Sequence, residues 1–198
     1  MGDFNFDMDT YSLEVRVGSL GMVHAKLPAF MKHELYKFQR VVRETYDESG
    51  LQVRSGALKR SIQPGEVKFS SDEVSGELLV GQKLKYARIQ EFGGDIQAVN
   101  VTWLTIPVGP MLTPAGVSRY PSIRDAGKQW DLRFIVSRRI VLGRKKGSQG
   151  DWQLVYVLRK KVTIPARRFV QMGVKKFQPT FIRDTERLVA EAMNPKKA

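Results

Sequence analysis

The sequence predicts an α+β fold: a long helix packed on an antiparallel sheet, with a basic β-hairpin insert and C-terminal helices. Three observations carry that expectation. Residues 28–48 show a helical stripe of apolar side chains, residues 132–164 hold two β-rich runs around a polar turn, and helical spacing returns after residue 168.

The elements follow in chain order. Residues 11–17, YSLEVRV, set Leu13, Val15 and Val17 against Ser12, Glu14 and Arg16, the alternation of a half-buried strand, with Gly18 and Gly21 as punctuation. From Pro28 to Glu48 the period changes. Met31, Leu35, Phe38 and Val42 form one stripe, Pro28 suits a first helical turn, where no N–H is needed, and Gly50 suits the exit. Ser55 can cap a short helix that buries Leu58 and Ile62 and is stopped by Pro64-Gly65. EVKFS and GELLVGQ then read as a hairpin around a polar turn. Residues 105–122 hold four prolines, so 95–122 reads as a long ordered loop or short-strand region. LRFIVSRRIVL and WQLVYVLRKKVTI flank GRKKGSQGD, a basic hairpin. In the terminal region Phe169 and Met172 share a face, and Pro179 is expected to end one helix and open another carrying Phe181, Leu188 and Ala192. The residues at 194–198 read as a frayed tail. This organisation is a single domain over 1–198, with a core of 11–94 and 163–193 and an insert of 95–162.

Composition narrows the function classes. Of 198 residues, 42% are hydrophobic and 27% charged, ordinary for a folded domain. No apolar run approaches the roughly 18 residues of a membrane span, and the acidic opening lacks the basic-then-apolar order of a secretory signal. The absence of cysteine excludes disulfides and thiolate metal sites and points to synthesis in a cytoplasm. The formal net charge is +13 and unevenly spread: residues 1–50 carry 6 basic and 8 acidic side chains, residues 101–150 carry 9 and 2. Such a field attracts polyanions, nucleic acid first.

Motifs for catalysis are sparse. His24 and His33 lack the spacing of a helical metal pair, and Ser55 and Ser61 have no histidine nearby to activate them. Glu66-Val67-Lys68 has the spacing of a metal-dependent nuclease core, yet no neighbouring carboxylate completes a metal shell. Glu91, the single acid of YARIQEFGG, is expected to pair with Arg88. No catalytic residue, metal or cofactor is expected. The nucleic-acid-facing candidates are Arg138, Arg139, Arg144, Lys145, Lys146, Arg159, Lys160 and Lys161, since Arg and Lys neutralise phosphates without reading bases. Trp152 and Tyr156 are the aromatics in that stretch, too few for a dedicated single-strand binder.

Three segments in order, RSGALKRSI at 54–62, YARIQEFGG at 86–94 and IPARRF at 164–169, resemble the signature of the virion-morphogenesis and tail-completion (neck) proteins of long-tailed phages. Gly56, Leu58, Ser61, Tyr86, Ala87, Phe92, Gly93, Gly94, Pro165, Ala166, Arg167 and Phe169 occupy the motif positions. Arg168 stands where proline is common in that family and Gln90 where histidine often sits. The resemblance implies a non-enzymatic structural protein at the head–tail junction of a virion. It would be made in the host bacterial cytoplasm and assemble with other neck and tail proteins as a homo-oligomeric ring around the DNA path. Six subunits would match the common symmetry of tails. The alternative is a free, sequence-independent DNA-binding or packaging accessory protein. Tyr86 and Phe92 are expected to anchor a turn to the core, and YARIQEFGG and IPARRF to meet in space and frame the insert.

Overall fold

A computed structural model describes residues 2–6, 10–16, 25–51, 55–70, 73–84 and 86–193. Val17, Gly18, Gly21, His24 and the 194–198 tail lie outside them. The chain divides into two compact units: Met1–Gln52 with Gly56–Gly93 and Pro165–Ala198, and Val53–Ser55 with Gly94–Ile164. The sequence expectation treats these as one domain with an insert at 95–162; each unit has a buried core of its own.

The first unit contains a four-stranded antiparallel sheet in the order β1-β2-β4-β3. Its strands are β1 (Gly2–Phe6), β2 (Thr10–Arg16), β3 (Gln63–Phe69) and β4 (Glu73–Leu79). β4 takes in residues assigned by the sequence to the polar turn, because Val74, Gly76 and Leu78 alternate into the core. Helix α1 (Leu27–Glu48) buries the expected stripe: Met31, Phe38 and Val42 are 0% exposed and Leu35 1%. It lies close on β4 because Gly76 has no side chain; a Cβ there would stand 2.7 Å from Leu35 Cδ1. Helix α2 (Ala57–Arg60) buries Leu58, and the residue at its N-cap position is Gly56 at φ 68 rather than Ser55. The helix ends at Arg60, before the Pro64-Gly65 pair expected to stop it. Both residues of that pair lie within β3, where the register shifts between Pro64 and Val67, a bulge that tolerates a residue with no N–H.

The expected pair of C-terminal helices is a single helix, α5 (Phe169–Met193), running through Pro179. A proline inside a helix costs about 3 kcal/mol. Phe177 and Phe181 on either side of it are 1% and 0% exposed, and burying each stabilises by about 2 kcal/mol or more. Packing therefore outweighs the local rule, and Pro179 itself is exposed. Phe177 stacks on Phe38 at 5.1 Å, and Phe169 meets Tyr46 edge to face at 5.3 Å. Gly173 lets the two helices approach: a Cβ there would stand 2.7 Å from Val42 Cγ2. Lys37 Nζ fastens the other end, 2.7 Å from Glu34 and 2.8 Å from Asp184.

The second unit holds a four-stranded antiparallel sheet in the order β6-β9-β8-β7, a separate β10-β5 pair and the short helix α4 (Ile123–Ala126). The strands are β5 (Gly94–Gln97), β6 (Leu104–Pro107), β7 (Trp130–Ile135), β8 (Ile140–Lys145), β9 (Gln153–Arg159) and β10 (Lys161–Ile164). The two long arms expected for one hairpin are each broken. The first reverses at a 3-10 turn, Val136–Arg138, closed by Arg139, and becomes the β7–β8 hairpin. The second breaks at Lys160, so β9 joins the large sheet while β10 pairs with β5. The GRKKGSQGD turn does connect paired strands, β8 and β9. A register shift between Val141 and Leu142 lets consecutive Val155 and Tyr156 both face the core beside Met111, Ala126, Val141 and Leu158.

Tyr156 is 2% exposed, and its hydroxyl has no hydrogen-bond partner among the described residues. Burial pushes its pKa above the ordinary tyrosine value. An unbonded buried hydroxyl costs about 1 kcal/mol or more. Tyr156→Phe is therefore expected to raise the thermal midpoint by about 3 °C. A fall in calorimetry would show that the hydroxyl is bonded.

Candidate nucleic-acid interface

Residues 56–62, 86–93 and 165–169 of the three motif segments lie in the first unit. Ser61 Oγ accepts the Gly81 N–H at 3.0 Å and donates to the Leu58 carbonyl at 2.6 Å. Gly81, at φ 73, lies against Ala87: a Cβ on it would overlap Ala87 Cβ and stand 3.8 Å from Leu58 Cδ1. Ala87 begins helix α3 (Ala87–Phe92), which ends at Gly93, φ 70, and is followed by Gly94, φ 146, conformations that glycine alone adopts readily.

The last turn of α3 meets the segment that opens α5. The Gln90 and Glu91 carbonyls accept the N–H groups of Arg167 and Arg168, each at 3.0 Å. The Glu91 carboxylate accepts the N–H of Val170 at 3.1 Å and of Gln171 at 3.0 Å. YARIQEFGG and IPARRF thus meet, as the sequence leads one to expect, but through different residues. Tyr86 and Phe92 are 41% and 43% exposed and lie outside the buried cluster, whereas Glu91 is 3% exposed. Nor is Glu91 the surface partner of Arg88. It satisfies first-turn N–H groups of α5 that have no intrahelical acceptor, at the positive end of the helix dipole. Of the other motif residues, Phe169 is fully buried, Arg167 Nη1 reaches the Ser49 carbonyl at 3.5 Å, and Pro165 and Ala166 are exposed.

The basic candidates all fall in the second unit, which carries 13 basic against 4 acidic residues, compared with 20 against 16 in the first. The structure does not gather them into one patch. Arg144 stands 3.8 Å from Asp131 and 5.1 Å from the Trp152 ring, and Lys161 is paired with Asp95 at 2.7 Å. Lys145 ends β8 and Lys146 begins the turn beyond it. Arg138 and Arg139 lie at the opposite end of β8, whose six residues span about 20 Å.

At that end Arg159 and Lys160 close β9, and the Leu158 N–H donates to the Arg139 carbonyl at 2.8 Å. Trp103 precedes β6, whose Leu104 pairs with Arg159. The Arg139 guanidinium and the Lys160 ammonium lie 5.9 and 5.6 Å from the Trp103 ring centroid. Arg138, Arg139, Arg159 and Lys160 have no carboxylate partner among the described residues. Arg139 is also held in left-handed backbone, φ 55 and ψ 41, which costs a side-chain-bearing residue about 1 kcal/mol. A cation over an indole at an exposed site gains about 0.5–1 kcal/mol.

The aromatic inventory changes accordingly. Tyr156 belongs to the core, Trp152 carries Arg144, and Trp103 joins from the proline-rich stretch, where no local signal marks it. Among the described residues no cluster could hold a metal ion and no helix is long and apolar enough to cross a membrane. Glu66 is exposed on β3 and Lys68 pairs with Glu77 at 2.9 Å. Comparison with protein-family models, with curated proteins and with solved structures finds no match.

Proposed function

We propose that this chain is a non-enzymatic structural protein of a phage virion, acting at the head–tail junction as an oligomeric ring around the DNA path. One observation supports it above the rest: the residues behind the family resemblance form one connected brace. Ser61 holds Gly81, Gly81 seats Ala87, and the helix that Ala87 begins is bonded through Gln90 and Glu91 to the start of α5. Three short motifs that recur by chance would have no reason to touch. The charge of the second unit suits a protein beside packaged duplex DNA, which carries a negative charge per about 1.7 Å of axis. Six copies per ring, contacts with other neck and tail proteins, and residence in the virion after synthesis in the host cytoplasm belong to the same reading.

Particles assembled with this coding sequence interrupted are expected to appear in electron micrographs as separated heads and tails. Intact, infectious particles would remove the proposal. The second reading, a free sequence-independent DNA-binding accessory, draws on Arg139 and Lys160, which lie over Trp103 with no carboxylate partner among the described residues. It predicts a chain that stays monomeric by light scattering and is absent from purified particles.

A further inference from the structure

We infer that Trp103, Arg138, Arg139, Arg159 and Lys160 form a clamp for the phosphodiester backbone of duplex DNA, with Trp103 serving to aim the cations rather than to stack on bases. Four cations without a carboxylate partner among the described residues lie on two chain segments, the β7–β8 turn and the end of β9 with the residue after it, and one from each, Arg139 and Lys160, lies over an indole that none of the usual runs of basic sequence contains. Like charges repel one another, so this gathering is unfavourable until a polyanion occupies it. Two cations already lie over the indole, which leaves it poorly placed as a stacking platform for an unpaired base. Arg139 supplies an independent sign. Its left-handed backbone would suit glycine, and a strained residue held at one end of a sheet is a mark of function over stability. At the other end of β8 Arg144 is beside Asp131, and next to the clamp Lys161 is matched by Asp95, so neither joins it.

The test is equilibrium binding of the full chain to a random-sequence 30-base-pair duplex at about 50 to 200 mM salt, the range in which counterion release is read. Four phosphate contacts predict an affinity loss of about 150-fold over that range, and two contacts about 12-fold. Arg139→Gly with Lys160→Gln should therefore move the wild-type dependence toward the shallower one. Lys145→Gln with Lys146→Gln, at the other end of the strand, should change it less than half as much. Arg139→Gly should melt at or above the wild-type temperature, because the strain is relieved while the contact is lost. Lys160→Gln, an exposed side chain, gives the same reading independently of that backbone. Equal loss in the two double variants, an unchanged salt dependence, or no duplex binding by the wild type would each overturn the clamp. So would tighter binding of a single strand of the same length, since bases would then be stacking on Trp103. The clamp rests on the DNA-adjacent role proposed above, and the two fail separately. Intact particles without the chain remove the junction role and leave the binding result standing; absent binding removes the clamp whatever the particles show.

Discussion

Gly81→Ala is expected to destabilise the first unit by about 3 kcal/mol, through two separable causes. The first is conformational: Gly81 sits at φ 73, where a side chain costs about 1 kcal/mol. The second is steric. The new methyl would overlap Ala87 Cβ, an atom fixed directly to the backbone, so relief requires the start of α3 to move. Overpacking of that kind costs about 1–3 kcal/mol. Gly76 makes a useful contrast. A methyl there meets Leu35 Cδ1 at 2.7 Å and Met31 Cγ at 3.0 Å, side-chain atoms able to rotate, and its φ is not positive, so Gly76→Ala should cost less. Adding Ala87→Gly to Gly81→Ala removes the steric part and leaves the conformational part. Urea midpoints of the four proteins in the cycle should give a coupling of about 2 kcal/mol. Zero coupling would mean that Gly81 and Ala87 are not packed as described.

How much of this was legible in the sequence depended on the range of the forces involved. Helix α1 was legible because its stripe, Met31, Leu35, Phe38 and Val42, is a local pattern that the core simply accepts. The paired strands β3–β4 and β8–β9 were legible for the same reason. Pro179 misled because its local penalty is real, but Phe177 and Phe181, packed against α1, outweigh it. Tyr86 and Phe92 misled because aromatic residues usually go inside, and here a carboxylate takes the buried place. The basic run identified the charged unit but not which charges are free. Asp95 neutralises Lys161 from across the β5–β10 pair, and Trp103 meets Arg139 and Lys160 from the residue before β6. Pairings between distant segments leave no trace in local composition.

Glu91 is where that difference is largest and most testable. Glu91→Ala is expected to cost about 3 kcal/mol, because the N–H groups of Val170 and Gln171 lose their acceptor in a site closed to water. Each orphaned donor costs about 1 kcal/mol or more, and losing a negative charge at the helix start adds about 0.5 kcal/mol. Glu91→Gln keeps one acceptor but turns an amide NH2 toward the second donor, so it should lose roughly half as much. The pH dependence carries a definite sign. Burial pushes the Glu91 carboxyl above the ordinary carboxylate range, against the smaller downward pull of the Val170, Gln171 and Phe169 N–H groups and the Arg168 charge. The folded protein therefore holds this proton more tightly than the unfolded chain does. The resulting stabilisation is complete below the unfolded carboxyl value of about 4.3 and is lost as pH rises through the folded value. Wild type should accordingly lose ground to Glu91→Gln as pH rises from about 4 through the shifted range, measured as the difference in urea midpoint. An exposed Glu91–Arg88 pair would behave otherwise: it would contribute about 0.5 kcal/mol or less, and salt would screen it. A Glu91→Ala loss of that size would return Glu91 to the surface and leave the start of α5 without the acceptor that joins it to α3.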